Sequence, residues 1–322
     1  METRKVQRLG PSTLAMTLPA EWASAHDVEK GDEVSLRMGG KGTLTVMPES
    51  VQTEESEAII HAENLDADAV ERAIVAQYVL GRRIIHVEAP EDQTLESAHI
   101  NAVYNAETQL MGLGVIEETP NRITIRCSVD PEDFTLDNLL ERLENTGSTM
   151  RGEANKIFVL LLRLIFTSYQ NPNLARAVGL QDGFPLIGYR SIAKNLELTA
   201  DNAEDIAEIA LEAEDHSLDV DSSTMRRIRD FTEEVNEITE LAVQAAVERN
   251  YDTAIQVRKT YSDIGDKEHD ILGDLPEMDN ESLLQVREVL VSLQQTAEYA
   301  VRNAEIATNL ALDEESEHTT IQ

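Results

Sequence analysis

A helix is written twice in this chain. Residues 190–210, set against residues 287–307 at a constant offset of 97, share nine identities in 21 positions without a gap. Chance in an Ala-rich helix gives roughly two, so the chain holds an internal repeat. Ala200, Ala203 and Ala207 recur as Ala297, Ala300 and Ala304. At those spacings the three small residues share one helix face and let a neighbour approach closely. Two related units of helices packed into bundles follow.

The first copy carries a second pattern. Glu197, Asp201 and Asp205 climb the helix in steps of four, roughly opposite the alanine face. "RKTYSDIGDKEHDILGD" adds Asp263, Asp266 and Asp270 on a neighbouring helix. Like charges at this spacing repel, and a hard cation would turn repulsion into coordination. Composition offers another explanation. The chain has 61 acids and 27 bases, for a net charge of -34. At that acid content about twelve such pairs arise by composition alone. Only seven of the bases are Lys, and 41% of residues are hydrophobic, too many for a disordered acidic chain. An acid-rich, Lys-poor surface suits concentrated salt, where repulsion is screened within a few Å. A halophile's cytoplasm is the expected setting. An acidic face that attracts a basic partner is the alternative.

Three regions follow along the chain, then a flexible tail at 313–322. Residues 1–50 hold seven acids and six bases, so nearly all the negative charge lies beyond them. Leu14/Met16/Leu18, Val34/Leu36/Met38 and Leu44/Val46 alternate as strands do. "PAEWASAHD" reads as a short helix opened by Pro19, and the "GGKG" at 39–42 as a turn. A unit this small rarely buries enough surface alone, so it is expected to pair with a copy of itself.

Residues 51–130 read as a small α+β domain in the order βαβαββ. Its first helix shows Asp68 and Glu71 at capping-box spacing, buried-face residues Val70, Ile74 and Tyr78, and a closing Gly81. His61, His86 and His99 have no metal-ligand spacing and read as exposed.

Residues 131–312 read as helical throughout, with long helices at 187–217, 221–249, 252–273 and 280–312. The greasiest run, "IFVLLLRLIF", is ten residues long and contains Arg163. That is half a membrane span, so it reads as a buried helix and no membrane insertion is expected. The single cysteine, Cys127, allows no intrachain disulfide, and "METRKVQRLG" lacks the apolar core of a signal peptide.

Two family resemblances enter on particular words. "LELTADNAEDIAE" and "GDKEHDIL" resemble the Glu-x-x-x-Asp and Asp-x-x-x-Asp helices of the PhoU family of phosphate-transport regulators, over roughly residues 133–312. The resemblance implies two three-helix bundles related by an internal repeat. It implies metal held by Asp266 and Asp270 joined either to Glu197 and Asp201 or to Glu298, depending on how the helices pack. Iron or zinc is typical of the family, and Mg or Mn also suit carboxylates. It implies a phosphate transporter or its sensor kinase as partner, and no enzyme activity. Departures are visible: Gln294 and Glu298 replace the motif acids in the second copy, and Arg151 and Asn155 stand where acids are expected. The stretch from 141 to 163 is also short for the family's helical hairpin.

"STLAMTLPAEWASAHDVEKGDEVSLR" resembles the AbrB swapped-hairpin domain, over residues 3–48. That resemblance implies an intertwined homodimer and DNA contact, with Arg4, Lys5 and Arg8 on phosphates. A pure dimerisation module is the alternative. Both domains in one chain is an arrangement known among archaeal PhoU-like proteins. The combined expectation is a mainly α, multidomain, cytoplasmic, dimeric regulator of phosphate uptake. A metal- or anion-responsive AbrB-type transcription factor is its rival. No Glu-x-x-His pair, phosphate-cradling Gly loop or Ser-His-Asp arrangement supports an enzyme.

Overall fold

A computed structural model of the chain describes residues 3–11, 13–38, 44–48, 56–130, 133–147, 151–170, 183–216 and 220–312. Contacts divide it into two units, Met1–Glu55 and Ser56–Gln322. The turn expected at 39–42 and the tail at 313–322 lie outside the described residues.

In the first unit the alternating words form short antiparallel pairs. β1 (Gln7–Arg8) pairs with β2 (Leu14–Ala15), and β3 (Val34–Met38) with β4 (Leu44–Pro48). Between the pairs lies α1 (Ala20–Ala25), started by Pro19. Alternation normally puts one face inside. Here Leu9, Leu14 and Leu36 are each more than 60% exposed, and Val6, Met16 and Leu44 are exposed too. Among the residues of this unit whose burial is described, Pro48 alone is buried. The described residues of the unit leave several large apolar side chains uncovered.

In the second unit the βαβαββ order is present: β5 (Glu57–His61), α2 (Ala67–Val79), β6 (Ile84–Glu88), α3 (Ser97–Gln109), β7 (Leu113–Thr119) and β8 (Arg122–Cys127). The sheet order is β5-β6-β8-β7, with β5 and β6 parallel and the other pairs antiparallel. A parallel pair needs a crossover, and α2 is that crossover. Ile60, Ile85, Val87, Ile123 and Ile125 are buried in one cluster with Val70, Ile74 and Tyr78 of α2 and Val103 of α3.

Two local expectations change. The N-cap of α2 is Asp66, whose carboxylate accepts from the Ala69 N–H at 2.7 Å. Asp66 has the extended backbone a cap needs, whereas Asp68 is already inside the first turn. His86 and His99 are buried, and only His61 of the three is exposed. Arg122 covers His86, donating from Nε to Nδ1 at 3.2 Å. His99 Nε2 lies 2.8 Å from the Leu65 carbonyl. Strand neighbours and chain crossings bury these rings, which residue spacing does not reveal.

The helices are α4 (Leu136–Gly147), α5 (Arg151–Gln170), α6 (Gly183–His216), α7 (Ser222–Val247), α8 (Tyr251–Ile264), α9 (Lys267–Gly273) and α10 (Asn280–Leu312). The single helix expected at 252–273 is broken. Gly265 ends α8 by donating to the Tyr261 carbonyl at 2.8 Å, and Asp266 leaves the helical conformation with ψ near 0°. Side-chain caps start the neighbours: Asp221 for α7, Asn250 for α8 and Asp279 for α10. Hydrogen bonds from Thr224 and Ser223 hold the Asp221 carboxyl below its usual pKa.

The helices gather in two sets of three. α4, α5 and α6 pack on one another, as do α7, α8 and α10. The sets meet where α6 lies along α10 and α4 touches α7. A Cβ on Gly188 would come within 3.0 Å of Ile306 and 3.4 Å of Leu310. Asn195 Nδ2 donates to Asn303 Oδ1 at 2.7 Å, and Asn202 Nδ2 to Thr296 Oγ1 at 3.1 Å. The contacts step by seven up one helix and by seven down the other, so the helices are antiparallel with a coiled-coil period. Continuing that register brings Ala200 level with Ala297, its own counterpart in the repeat. Two copies related by a local two-fold must cross at equivalent residues.

The alanine face is unequal in the two copies. Ala297, Ala300, Ala304 and Ala307 of α10 are all buried, whereas of their α6 counterparts only Ala200 is buried, Ala203 is half-buried and Ala207 and Ala210 are exposed. The cause lies in the first set: α4 has 12 residues where α7, in the same place of the second set, has 26. The end of α6 outruns its cover.

Residue 130, the expected boundary, does not separate compact bodies, because α5 packs on α2 and α3. Arg163 of α5 is 2% exposed. Its guanidinium donates to the carbonyls of Tyr78, Gly81 at 3.2 Å and Arg82 at 3.1 Å, and sits 4.8 Å from the Tyr78 ring centroid. These carbonyls lie at the open end of α2, where the backbone has run out of helical donors. Gly81, at φ 89°, makes the turn there. The one charge in the greasy run is therefore a helix cap supplied by another element. Arg163→Met takes the guanidinium from all three acceptors, leaving the Tyr78 carbonyl to the Gly81 N–H and the Gly81 carbonyl to the Ser56 hydroxyl. It should lower stability by about 2–4 kcal/mol in urea denaturation, and Lys should recover little, lacking the planar fork. An unchanged midpoint would contradict the capping role.

Candidate functional site

Two surfaces hold the residues that the sequence singles out. The first is the start of the N-terminal unit. Arg4, Lys5 and Arg8 are all exposed. Arg8 is in β1, opposite Leu14 of β2. Arg8 thus sits beside an exposed apolar side chain, on a unit of nearly balanced charge.

The second is a groove of about 680 Å³ between the first turns of α5 and the middle of α6, closed at one end by Thr108 and Gln109 of α3. Glu197, Asp201 and Glu204 line it from α6, and Glu153 and Lys156 from α5. Spacings of four and three place these α6 acids on one face. Asp205, the expected third acid of the column, is exposed and does not line the groove. The acids are met by lysines: Lys156 Nζ lies 2.6 Å from Glu153 Oε1, and Lys194 bonds to Glu197. Both lysines stand three residues from their partners, a spacing visible in the sequence, yet neither drew notice there.

The counterparts of Glu197 and Asp201 are Gln294 and Glu298, which face the break between α8 and α9. Gln294 Nε2 donates to the Tyr261 hydroxyl at 3.2 Å, and Arg302 reaches Glu298 at 3.3 Å. Burial first, then the negative charge of Glu298, raises the Tyr261 pKa, and Asp266 adds a smaller push. Lys267 lies 2.6 Å from Glu234 of α7. Asp266 and Asp270 are exposed.

The expected joint site of Asp266 and Asp270 with Glu197 and Asp201 is therefore not assembled. The first pair belongs to the second helix set, and the second pair faces α5 within the first. Among the described residues, no group of three or more His, Cys, Asp or Glu side chains is placed to hold a metal ion. The side chains present do not fit the metal that the resemblance implies. Two of the expected ligands already have a basic partner, Glu197 in Lys194 and Glu298 in Arg302.

Residues 7–53 match the MazE family, described as antidote-toxin recognition, bacterial antitoxin. The N-terminal unit is thus similar to a MazE/AbrB-like domain. Such domains commonly dimerise and bind DNA, which fits the uncovered apolar face and the neighbouring bases. No curated protein and no solved structure matches the chain. Among the described residues, no helix is long and apolar enough to cross a membrane.

If lysines neutralise the α5–α6 groove, removing them should turn it into a cation site. Lys156→Met/Lys194→Met should bind Mn2+ about tenfold more tightly than wild type by paramagnetic line broadening. Adding Glu197→Gln/Asp201→Asn should abolish the gain. No gain in the lysine variant would contradict the neutralised-groove reading.

Proposed function

We propose that this chain is a dimeric cytoplasmic regulator of phosphate uptake, not an enzyme. Its N-terminal unit pairs two copies and contacts DNA, and its helices engage a phosphate transporter or the transporter's sensor kinase. The observation that carries the reading is the doubled helix crossing itself at Ala200 and Ala297, at the join of two three-helix sets. That arrangement supports the PhoU-like reading of residues 133–312.

The uncovered face of Val6, Leu9, Leu14 and Leu36 supports pairing through the first unit, since a second copy would bury those side chains. Arg4, Lys5 and Arg8 then lie in two symmetric sets, as contact with two half-sites requires. The rest of the chain carries nearly all the net negative charge and would repel DNA, which restricts contact to the N-terminal end. The MazE match favours a second reading, a transcription factor of the AbrB type in which the helices sense an anion or another small ligand.

Light scattering should give twice the 35.8 kDa chain mass, and Leu14→Glu/Leu36→Glu should return it to the monomer value. A wild-type monomer would remove the dimer. Deleting the gene should alter phosphate uptake, or expression of transporter genes, between starvation and repletion; no change in either contradicts the phosphate reading. Chromatin immunoprecipitation separates the rival. Enrichment at discrete promoters, lost with Arg4→Ala/Lys5→Ala/Arg8→Ala while phosphate uptake is unaffected, favours the transcription factor.

A further inference from the structure

The shortness of α4 leaves a cleft that the proposed regulation does not use. It lies between α4, α6, α7 and α10 and holds about 280 Å³. Thr199, Thr232, Thr239 and Thr296 line it. Each hydroxyl donates its proton to the backbone carbonyl four residues earlier in its helix, at 3.0, 2.9, 2.8 and 2.9 Å respectively. A threonine that has spent its proton this way has only lone pairs left. One of the lone pairs on Thr296 is already taken by Asn202.

Two carboxylates complete the lining, Glu144 from α4 and Glu240 from α7. Among the described residues, no Lys, Arg or His lines the cleft. Asn236, exposed on α7, is the one described lining side chain that still brings N–H donors. Burial, and then the negative charges of Glu240 and Glu141, push the Glu144 carboxyl above its usual pKa. The cleft is short of donors and of positive charge.

Ile206, Val235 and Leu293 form apolar wall between these acceptors. A bare metal ion needs a closed shell of oxygens at short range and has no use for such wall. The volume also equals that of about nine liquid waters, far more than one ion fills. A chain of methylenes ending in ammonium groups matches both features, apolar stem on apolar wall and N–H donors on acceptors. We propose that this cleft binds a small aliphatic amine with two or more ammonium groups.

The site is independent of the phosphate reading, and either can fail without the other. Titration calorimetry of the full chain with putrescine at physiological salt tests it. Magnesium chloride and butylamine serve as comparison ligands. Saturable binding at one site per chain is expected. Glu144→Gln/Glu240→Gln should weaken it about tenfold, and Thr239→Val about threefold, while Glu204→Gln in the α5–α6 groove should leave it unchanged. Thermal melts of the variants show that they remain folded, since removing paired like charges should not destabilise them. Equal binding to the Glu144→Gln/Glu240→Gln variant would mean that the acidic surface merely collects cations, and would overturn the proposal. So would absence of saturation, or binding of magnesium or butylamine as tightly as putrescine.

Discussion

The close antiparallel contact of α6 with α10 organises the helical part of this chain. Gly188 and the alanines bring the two backbones near, and the Asn195–Asn303 and Asn202–Thr296 bonds set their register. Buried amides discriminate between registers, because a slip by one turn leaves them without partners at a cost of about 1–3 kcal/mol each. Each long helix is also the third member of its own three-helix set. The contact therefore fixes how α4 and α5 stand relative to α7 and α8. The threonine-lined cleft, walled by both α6 and α10, takes its shape from it.

Two departures from symmetry give the molecule its particular surfaces. The short α4 uncovers the end of α6 and opens the cleft. The exchange of Glu197 and Asp201 for Gln294 and Glu298 makes the two crevices chemically different: one is crowded with carboxylates and lysines, the other built around Tyr261. Elsewhere in the same unit Arg163 ties the helices to the sheet region by closing the end of α2. The N-terminal unit follows another logic. It leaves several large apolar side chains exposed, which the proposed pairing with a second copy would cover.

Much of this was legible in residue order. The repeat showed because alanines recur at the same spacing in both helices, although close packing demands them along α10 and only at Ala200 among their α6 counterparts. The βαβαββ order and the buried face of Val70, Ile74 and Tyr78 showed because both rest on local periodicity. What was not legible depends on distant partners. His86 is buried by Arg122, which lies 36 residues away. The 252–273 helix read as continuous because one glycine is tolerated inside a helical pattern, whereas here Gly265 ends α8 and α9 packs separately on α7 and α10. The acid column suggested a cation, but Glu197 already bonds to Lys194 three residues away. The cleft was invisible because threonine hydroxyls look bivalent until their protons are seen committed to the backbone.

The antiparallel register between α6 and α10 carries the central claim, and disulfide trapping reads it directly. In a Cys127→Ala background, Asn195→Cys/Asn303→Cys should cross-link within one chain under mild oxidation and give a compact band on non-reducing gels. Asn195→Cys/Leu310→Cys should not, since seven residues of helix shift the second thiol by about 10 Å. Cross-linking of the 195/310 pair in preference to 195/303, or of neither pair, would contradict the crossing on which the account rests.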